Sequence, residues 1–417
     1  MSAVKQSQKL HWFVIMTAVA TLGLIGLGGL VTSHQAGMAV PDWPTTYGYN
    51  MFFFPVSQWV GGVFYEHTHR LYAAFIGLLT SIMAGWLWLR GTEGRVRWAG
   101  MLTILVLVMA LGHRGSGQSS GGASVIPFHF KVLAFVMPVL LVFGIVQCIR
   151  HRAAQHWLGL TAFFAVIFQG LLGGLRVALY KDEVGIFHAA LAQCFLLLLS
   201  TTALLTSRWW VNFKTAKEVP SRRLLQASGL ICVAIVVQLI LGASMRHQHA
   251  GLAVPDFPLA YGKVWPATDE AALFEYNHSE SRLDYRDFKP ITASHIYLHM
   301  AHRAGALFIW LAIMALAVSY VRSLGWKASF SKAAIAWAGL ISLQAVLGAF
   351  TIWTNKAADI ATLHVVLGAV TLIFGSITSL CGFRCRMVSV NVNPLASAKT
   401  QVASGVKAPD EADLVTQ

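Results

Sequence analysis

Runs of close to 20 apolar residues recur along the whole of this chain. A run of that length spans a bilayer as a helix, because no water is present there to satisfy backbone N–H and C=O groups. Of the 417 residues, 56% are hydrophobic and 12% are charged. That charged share is about half the usual value for soluble domains. The sequence predicts an all-α polytopic membrane protein of about ten transmembrane helices. They lie near 12–32, 66–89, 97–112, 131–149, 156–177, 185–206, 224–245, 296–320, 333–353 and 360–381. The first run follows Lys5 and Lys9 as a signal peptide would, but it is too long and lacks a small-residue cleavage site, so it reads as a retained helix.

A formal charge of +14 would suit a nucleic-acid partner if the cations formed a stripe with stacking aromatics. Instead they gather in short connections: Lys5/Lys9, Arg90/Arg95/Arg97, Arg150/Arg152, Arg208 to Arg223, Arg322/Lys327 and Arg384/Arg386. These connections alternate, which places them and both termini on the cytoplasmic side. The lipid bilayer, and no nucleic acid, is the expected partner. The five cysteines give no disulfide framework.

The chain also repeats itself. Ala36 to Gly48 and Ala250 to Gly262 match at nine of thirteen positions, each a Pro-Asp-aromatic-Pro loop after an apolar run. A His-Arg helix follows in both cases: Glu66-His67-Thr68-His69-Arg70 and His299-Met300-Ala301-His302-Arg303. Further on, Gln169 to Gly173 with His188 resembles Gln344 to Gly348 with His364. These matches predict two pseudo-symmetric four-helix bundles. Residues 1–90 with 156–206 make the N-terminal repeat, and 207–385 the C-terminal one. Residues 91–155 read as an inserted transmembrane hairpin joined by a flexible loop from Gly115, and 386–417 as a disordered cytoplasmic tail.

Four histidines, His69, His188, His302 and His364, fall in the first turns of helices entering from the outer side. Their expected depth is roughly 5–10 Å. Two per half, on two helices per half, is what bis-imidazole heme ligation requires. A structural zinc site would need four convergent ligands, and catalytic zinc sites usually add carboxylate or cysteine, so paired histidines suit two flat cofactors better. Arg70 and Arg303 stand where heme propionates would meet the wet rim, with Arg176 a weaker candidate. Glu66 is the asymmetric element, since His299 takes its place in the second half; it is the candidate catalytic carboxylate. His67 and His299 read as supporting or loop-facing residues, and His34, His247 and His249 as residues of the outer loops without assigned chemistry.

On Gly37 to Pro44, Glu66 to Arg70, Gln169 to Gly174 and the placement of His188, His302 and His364, the chain resembles the heme A synthase family, which oxidises heme O to heme A for cytochrome oxidases. The resemblance implies a membrane oxidoreductase of cytochrome oxidase assembly, in a bacterial-type inner (plasma) membrane. It implies a heme b cofactor between His302 and His364, and heme O as substrate on His69 and His188 with Glu66 as the catalytic carboxylate. Implied partners are heme O synthase and cytochrome oxidase assembly factors; the electron acceptor is unidentified and a homo-oligomer is left open. Val40 and Thr46 stand where many bacterial members carry a cysteine pair, and the inserted hairpin takes the count beyond the family's usual eight helices. Two other functions are weighed: a diheme b-type electron-transfer cytochrome, disfavoured because all four histidines lie near one face, and a heme carrier, in which Glu66 would have no evident role.

Overall fold

The computed structural model describes residues 8–115, 128–151, 154–214, 217–279 and 290–403. Twelve α-helices occur among them. They are α1 (Gln8–Ser33), α2 (Gly61–Gly91), α3 (Gly94–Gly115), α4 (Phe128–Arg150), α5 (Gln155–Leu179), α6 (Asp182–Leu205), the short α7 (Arg208–Asn212), α8 (Arg222–His247), α9 (Glu270–His278), α10 (Ala293–Leu324), α11 (Ser329–Trp353) and α12 (Ala358–Ala403). Nine helices among the described residues are long and apolar enough to cross a membrane. The tenth expected span, 97–112, is helical as α3 but is not among those nine. The protein is a multi-pass, all-α membrane protein.

Helix ends follow local chemistry. Ser221 and Thr292 begin α8 and α10 by accepting hydrogen bonds from the N–H groups of Leu224 and His295. Gly325, with φ of 83°, ends α10.

Helices α1, α2, α5 and α6 pack in a closed ring, each against the next. Helices α8, α10, α11 and α12 form a second ring. The rings meet where α1 and α6 lie against α12, and where α6 lies against α8. The expected hairpin sits outside the first ring, α3 on α2 and α4 on α5; its connection, apart from Gly115, falls outside the described residues.

Each ring has a dry end. In the first, Leu10, Val14, Ile76, Met83, Leu196 and Leu199 form one apolar cluster. In the second, Ile235, Ile313, Leu316, Trp337 and Leu372 form another. The clusters use the later turns of α2, α6 and α10. The candidate histidines occupy the early turns, as the ninth, seventh, tenth and seventh residues of α2, α6, α10 and α12. The apolar floor therefore closes one end of each ring and leaves the polar chemistry at the other.

Two expectations change, and one connection holds an element that the apolar runs do not display. The 246–295 connection contains a helix, α9, whose first turn is capped by Asp269 accepting from the Ala272 N–H at 2.9 Å. The last helix continues to Ala403, past residue 386 where the sequence predicts a disordered tail, and it does so across Pro394, a residue that ordinarily kinks or ends a helix. Residues 404–417 of that expected tail lie outside the described residues. His247 is the last residue of α8 and is buried, so it is not a free loop residue.

Candidate functional site

The two Pro-Asp loops carry the same bonds at matching positions. Asp42 accepts from the N–H groups of Tyr47 at 2.7 Å and Gly48 at 2.8 Å. Asp256 accepts from Tyr261 at 2.7 Å and Gly262 at 2.9 Å. The Tyr47 hydroxyl donates to the Ala39 carbonyl, and the Tyr261 hydroxyl to that of Ala253. The Trp43–Pro44 and Phe257–Pro258 bonds are both cis. Burial raises the Asp42 pKa, but the Gly48, Thr45 and Tyr47 hydrogen bonds outweigh it and hold the carboxyl below its ordinary value.

Each loop is fastened to its His-Arg helix by the arginine. Arg70 donates through Nη1 to the carbonyls of Asp42 at 2.6 Å and Thr45 at 3.1 Å, and through Nη2 to that of Val40 at 2.8 Å. Its second Nη2 bond goes to Glu66 Oε1 at 2.6 Å. Arg303 repeats the pattern on Leu259, Val254 and Asp256. A guanidinium has five N–H donors, so Arg70 retains only Nε. Both arginines hold the loops in place through backbone carbonyls.

Glu66 is 4% exposed. Its Oε2 accepts from the Val40 N–H at 2.8 Å while Oε1 binds Arg70. The carboxylate is thus part of the joint between loop and α2. In the second half His299 fills that position, 2% exposed, with Nδ1 unpartnered. His67 is fully buried, its Nδ1 3.2 Å from Thr46 Oγ1 and its ring between Trp59 and Phe54.

The four candidate histidines share one seat. His69 lies against Gly28 of α1, His188 against Gly173 of α5, His302 against Gly242 of α8 and His364 against Gly348 of α11. A Cβ at those glycines would stand 3.2, 3.4, 3.1 and 3.2 Å from the imidazole Cε1. Four residues before three of these glycines is a glutamine. Gln169, Gln238 and Gln344 donate through Nε2 to the carbonyls of His188, His302 and His364 at 3.1, 2.8 and 2.9 Å. Gln238 Nε2 also lies 3.1 Å from His302 Nδ1. The fourth position is Leu24, so His69 has no such clamp. The Gln-x-x-x-Gly spacing is visible in the sequence at all three places, although Gln238 stands far ahead of its histidine.

His69 and His188 lie within electrostatic reach of one another, as do His302 and His364. All four histidines are half-buried. Nδ1 of His69, His188 and His364 is buried without a hydrogen-bond partner. Such an atom costs about 1–3 kcal/mol if left unsatisfied. Within each ring the paired histidines stand on helices that are not neighbours, α2 and α6 or α10 and α12, an arrangement that suits a flat, metal-bearing macrocycle held between them. Among the described residues no three metal-ligating side chains converge, as a structural zinc site would require.

The family model for COX15-CtaA, cytochrome oxidase assembly protein, matches residues 112–375, more than half of the chain. The chain belongs to this family. The match runs from the end of α3 into α12 and contains His188, His302 and His364. Among curated relatives, the heme A synthase of Bacillus cereus (strain AH187) is 25% identical over 230 residues, covering 52% of this chain and 62% of the relative. Those of Bacillus cereus (strain G9842) and Bacillus anthracis (strain A0248) are 26% and 25% identical over the same length. The chain thus matches a little under two thirds of the length of these family relatives.

Proposed function

We propose that this protein is a heme A synthase, a membrane oxidoreductase that converts one ring methyl of heme O to a formyl group, with a bound heme b carrying electrons away. The observation that carries this reading is the presence of one histidine pair within each helix ring, only one pair with a carboxylate, Glu66, three residues away on the same helix face. His69 and His188 would hold the substrate, and His302 and His364 the heme b. If each histidine pair held one heme iron, no coordination position would be left for dioxygen, which would favour electron removal and addition of water. The net change is methyl plus one water giving formyl, four protons and four electrons.

When bound, heme b supplies one-electron steps. The chain supplies position and charge. The glycine seats and glutamine clamps fix the imidazoles. Arg70 and Glu66 hold the Pro-Asp loop to α2, and Trp43 from that loop packs where Gly174 has no side chain. Glu66 Oε1 and Oε2, held by Arg70 and the Val40 N–H, can stabilise positive charge developing on the methyl carbon or take its proton. A bacterial-type inner membrane with both termini cytoplasmic fits the alternate placement of basic residues, and heme O synthase and oxidase assembly factors are the expected partners.

Co-expression with a source of heme O, followed by pigment extraction and chromatography, tests the reading. Heme A is expected with the wild-type chain. Accumulation of heme O alone by a folded, heme-loaded protein would overturn it and favour an electron-transfer cytochrome or a carrier. Growth in labelled water should label the formyl oxygen; label arriving from dioxygen would refute the water-addition route.

A further inference from the structure

One half-buried cation, its guanidinium set among the helices, is not explained by the loops. Arg246, at the end of α8, reaches across to the first ring and donates through Nη2 to the Gly29 carbonyl and Ser33 Oγ of α1. No carboxylate among the described residues lies against it. A deeply placed guanidinium with only neutral partners is costly, and such groups are kept for an anion that pairs with them.

Its register shows where that anion would come from. Arg246 is four residues beyond Gly242, the seat of His302, so it lies on the same face one turn nearer the helix end. Arg176 is three residues beyond Gly173, the seat of His188. The rises are about 6 and 4.5 Å. The equivalent positions beyond Gly28 and Gly348 carry no charge: Val31 and Thr32, Thr351 and Ile352. Each histidine pair therefore has one arginine a turn above it. Arg246 is within electrostatic reach of His364, and Arg176 of His69 and His188. Between the arginines sits His247, 7% exposed, packed with Arg176 Nε around Gly185.

We propose that Arg246 and Arg176, in and beside the joint between the two helix rings, form a carboxylate-receiving site for the propionate groups of the porphyrins held by the histidine pairs. Arg246 serves the second ring and Arg176 the first. Arg70 and Arg303, which the sequence favours for this role, have their Nη donors largely committed to loop carbonyls. This rests on the heme reading above. Because Arg246 bonds α1 from α8, filling its pocket would also tie the rings together.

The full-length protein is reconstituted with protoheme and with protoheme dimethyl ester, whose carboxylates are blocked. The wild type is expected to take up protoheme at least tenfold better. Arg246→Gln and Arg176→Gln should each reduce that preference, and Arg→Lys should restore part of it. Removing a positive charge beside a heme favours its oxidised form. Arg246→Gln should therefore shift the oxidised-to-reduced ratio of the second-ring heme about tenfold at fixed potential, equivalent to about 59 mV for one electron. No heme uptake by folded wild type would defeat the heme reading itself. Uptake with equal affinity for both porphyrins defeats only this site. So does a preference that survives in both glutamine variants. If the glutamine variants do not fold, the wild-type preference and the lysine variants decide.

Discussion

Replacing Glu66 separates its two roles. In the structure its oxygens complete Arg70 at 2.6 Å and the Val40 N–H at 2.8 Å, in a site 4% exposed. Glu66→Ala breaks a buried pair, for which about 3–5 kcal/mol is typical. It also orphans the Val40 N–H, at about 1–3 kcal/mol. Arg70 retains its three carbonyl acceptors, so the lower end is expected, about 4 kcal/mol against loop closure. Glu66→Gln keeps an acceptor for one of the two donors and should cost the loop about 1–3 kcal/mol. Anchoring alone would let Gln retain much of the wild-type conversion. Transition-state charge or proton work by the carboxylate predicts a fall of about 10²–10⁴ in Gln as well as Ala. The assay is the heme A to heme O ratio in extracted pigment, with limited proteolysis of the 36–60 loop reporting closure. Conversion by Glu66→Gln within about threefold of wild type, with the loop still protected, would refute the chemical role and leave only the anchor.

The glutamine clamps make an asymmetric prediction. Gln238→Leu should weaken heme binding at His302 about 10–100-fold, the usual effect of losing a group that orients a ligand, whereas Leu24→Gln should tighten retention at His69; equal retention in both would show that the clamp has no influence. Gly242→Val places branched carbon where a Cβ alone would stand 3.1 Å from His302, and should abolish the second-ring heme spectrum while leaving the first. Gly174→Ala would put a methyl 2.3 Å from the Trp43 ring and should expose the first loop to protease, with a penalty of about 1–3 kcal/mol. The folded Asp42 carboxyl titrates below its ordinary value of 3.8. Its contribution to loop order is therefore complete above pH 3.8 and lost as pH falls through the lower folded value, and Asp42→Asn should flatten that acid-side transition in Trp43 fluorescence.

Much of the fold is legible because a bilayer permits so few solutions. Nine spans lie where apolar runs of sufficient length lie, and α3 covers the tenth. Helix α9 is not legible this way: it is short, lies outside the apolar runs and is started by one capping aspartate. The positions of the four histidines were readable from spacing, since Pro-Asp loops and His-Arg pairs recur. The work of Arg70 and Arg303 was not, because their acceptors are backbone carbonyls, which every residue has and no side-chain pattern displays. Gln238 was readable in principle. Its Gln-x-x-x-Gly spacing equals that of Gln169 and Gln344, but it precedes a long connection, while the other two stand close ahead of His188 and His364. Arg246 was hidden for a different reason: at the end of an apolar run it resembles an ordinary interfacial cation, and only the contact with Gly29 and Ser33 shows that it faces inward.

The most direct test of the paired-imidazole account is low-temperature electron paramagnetic resonance of the oxidised, purified protein from cells that make heme O, with heme quantified per chain. The account predicts two low-spin ferric signals of bis-imidazole type, one removed by His302→Ala and the other by His188→Ala. High-spin iron in the folded wild type, or signals unaffected by either substitution, would contradict it.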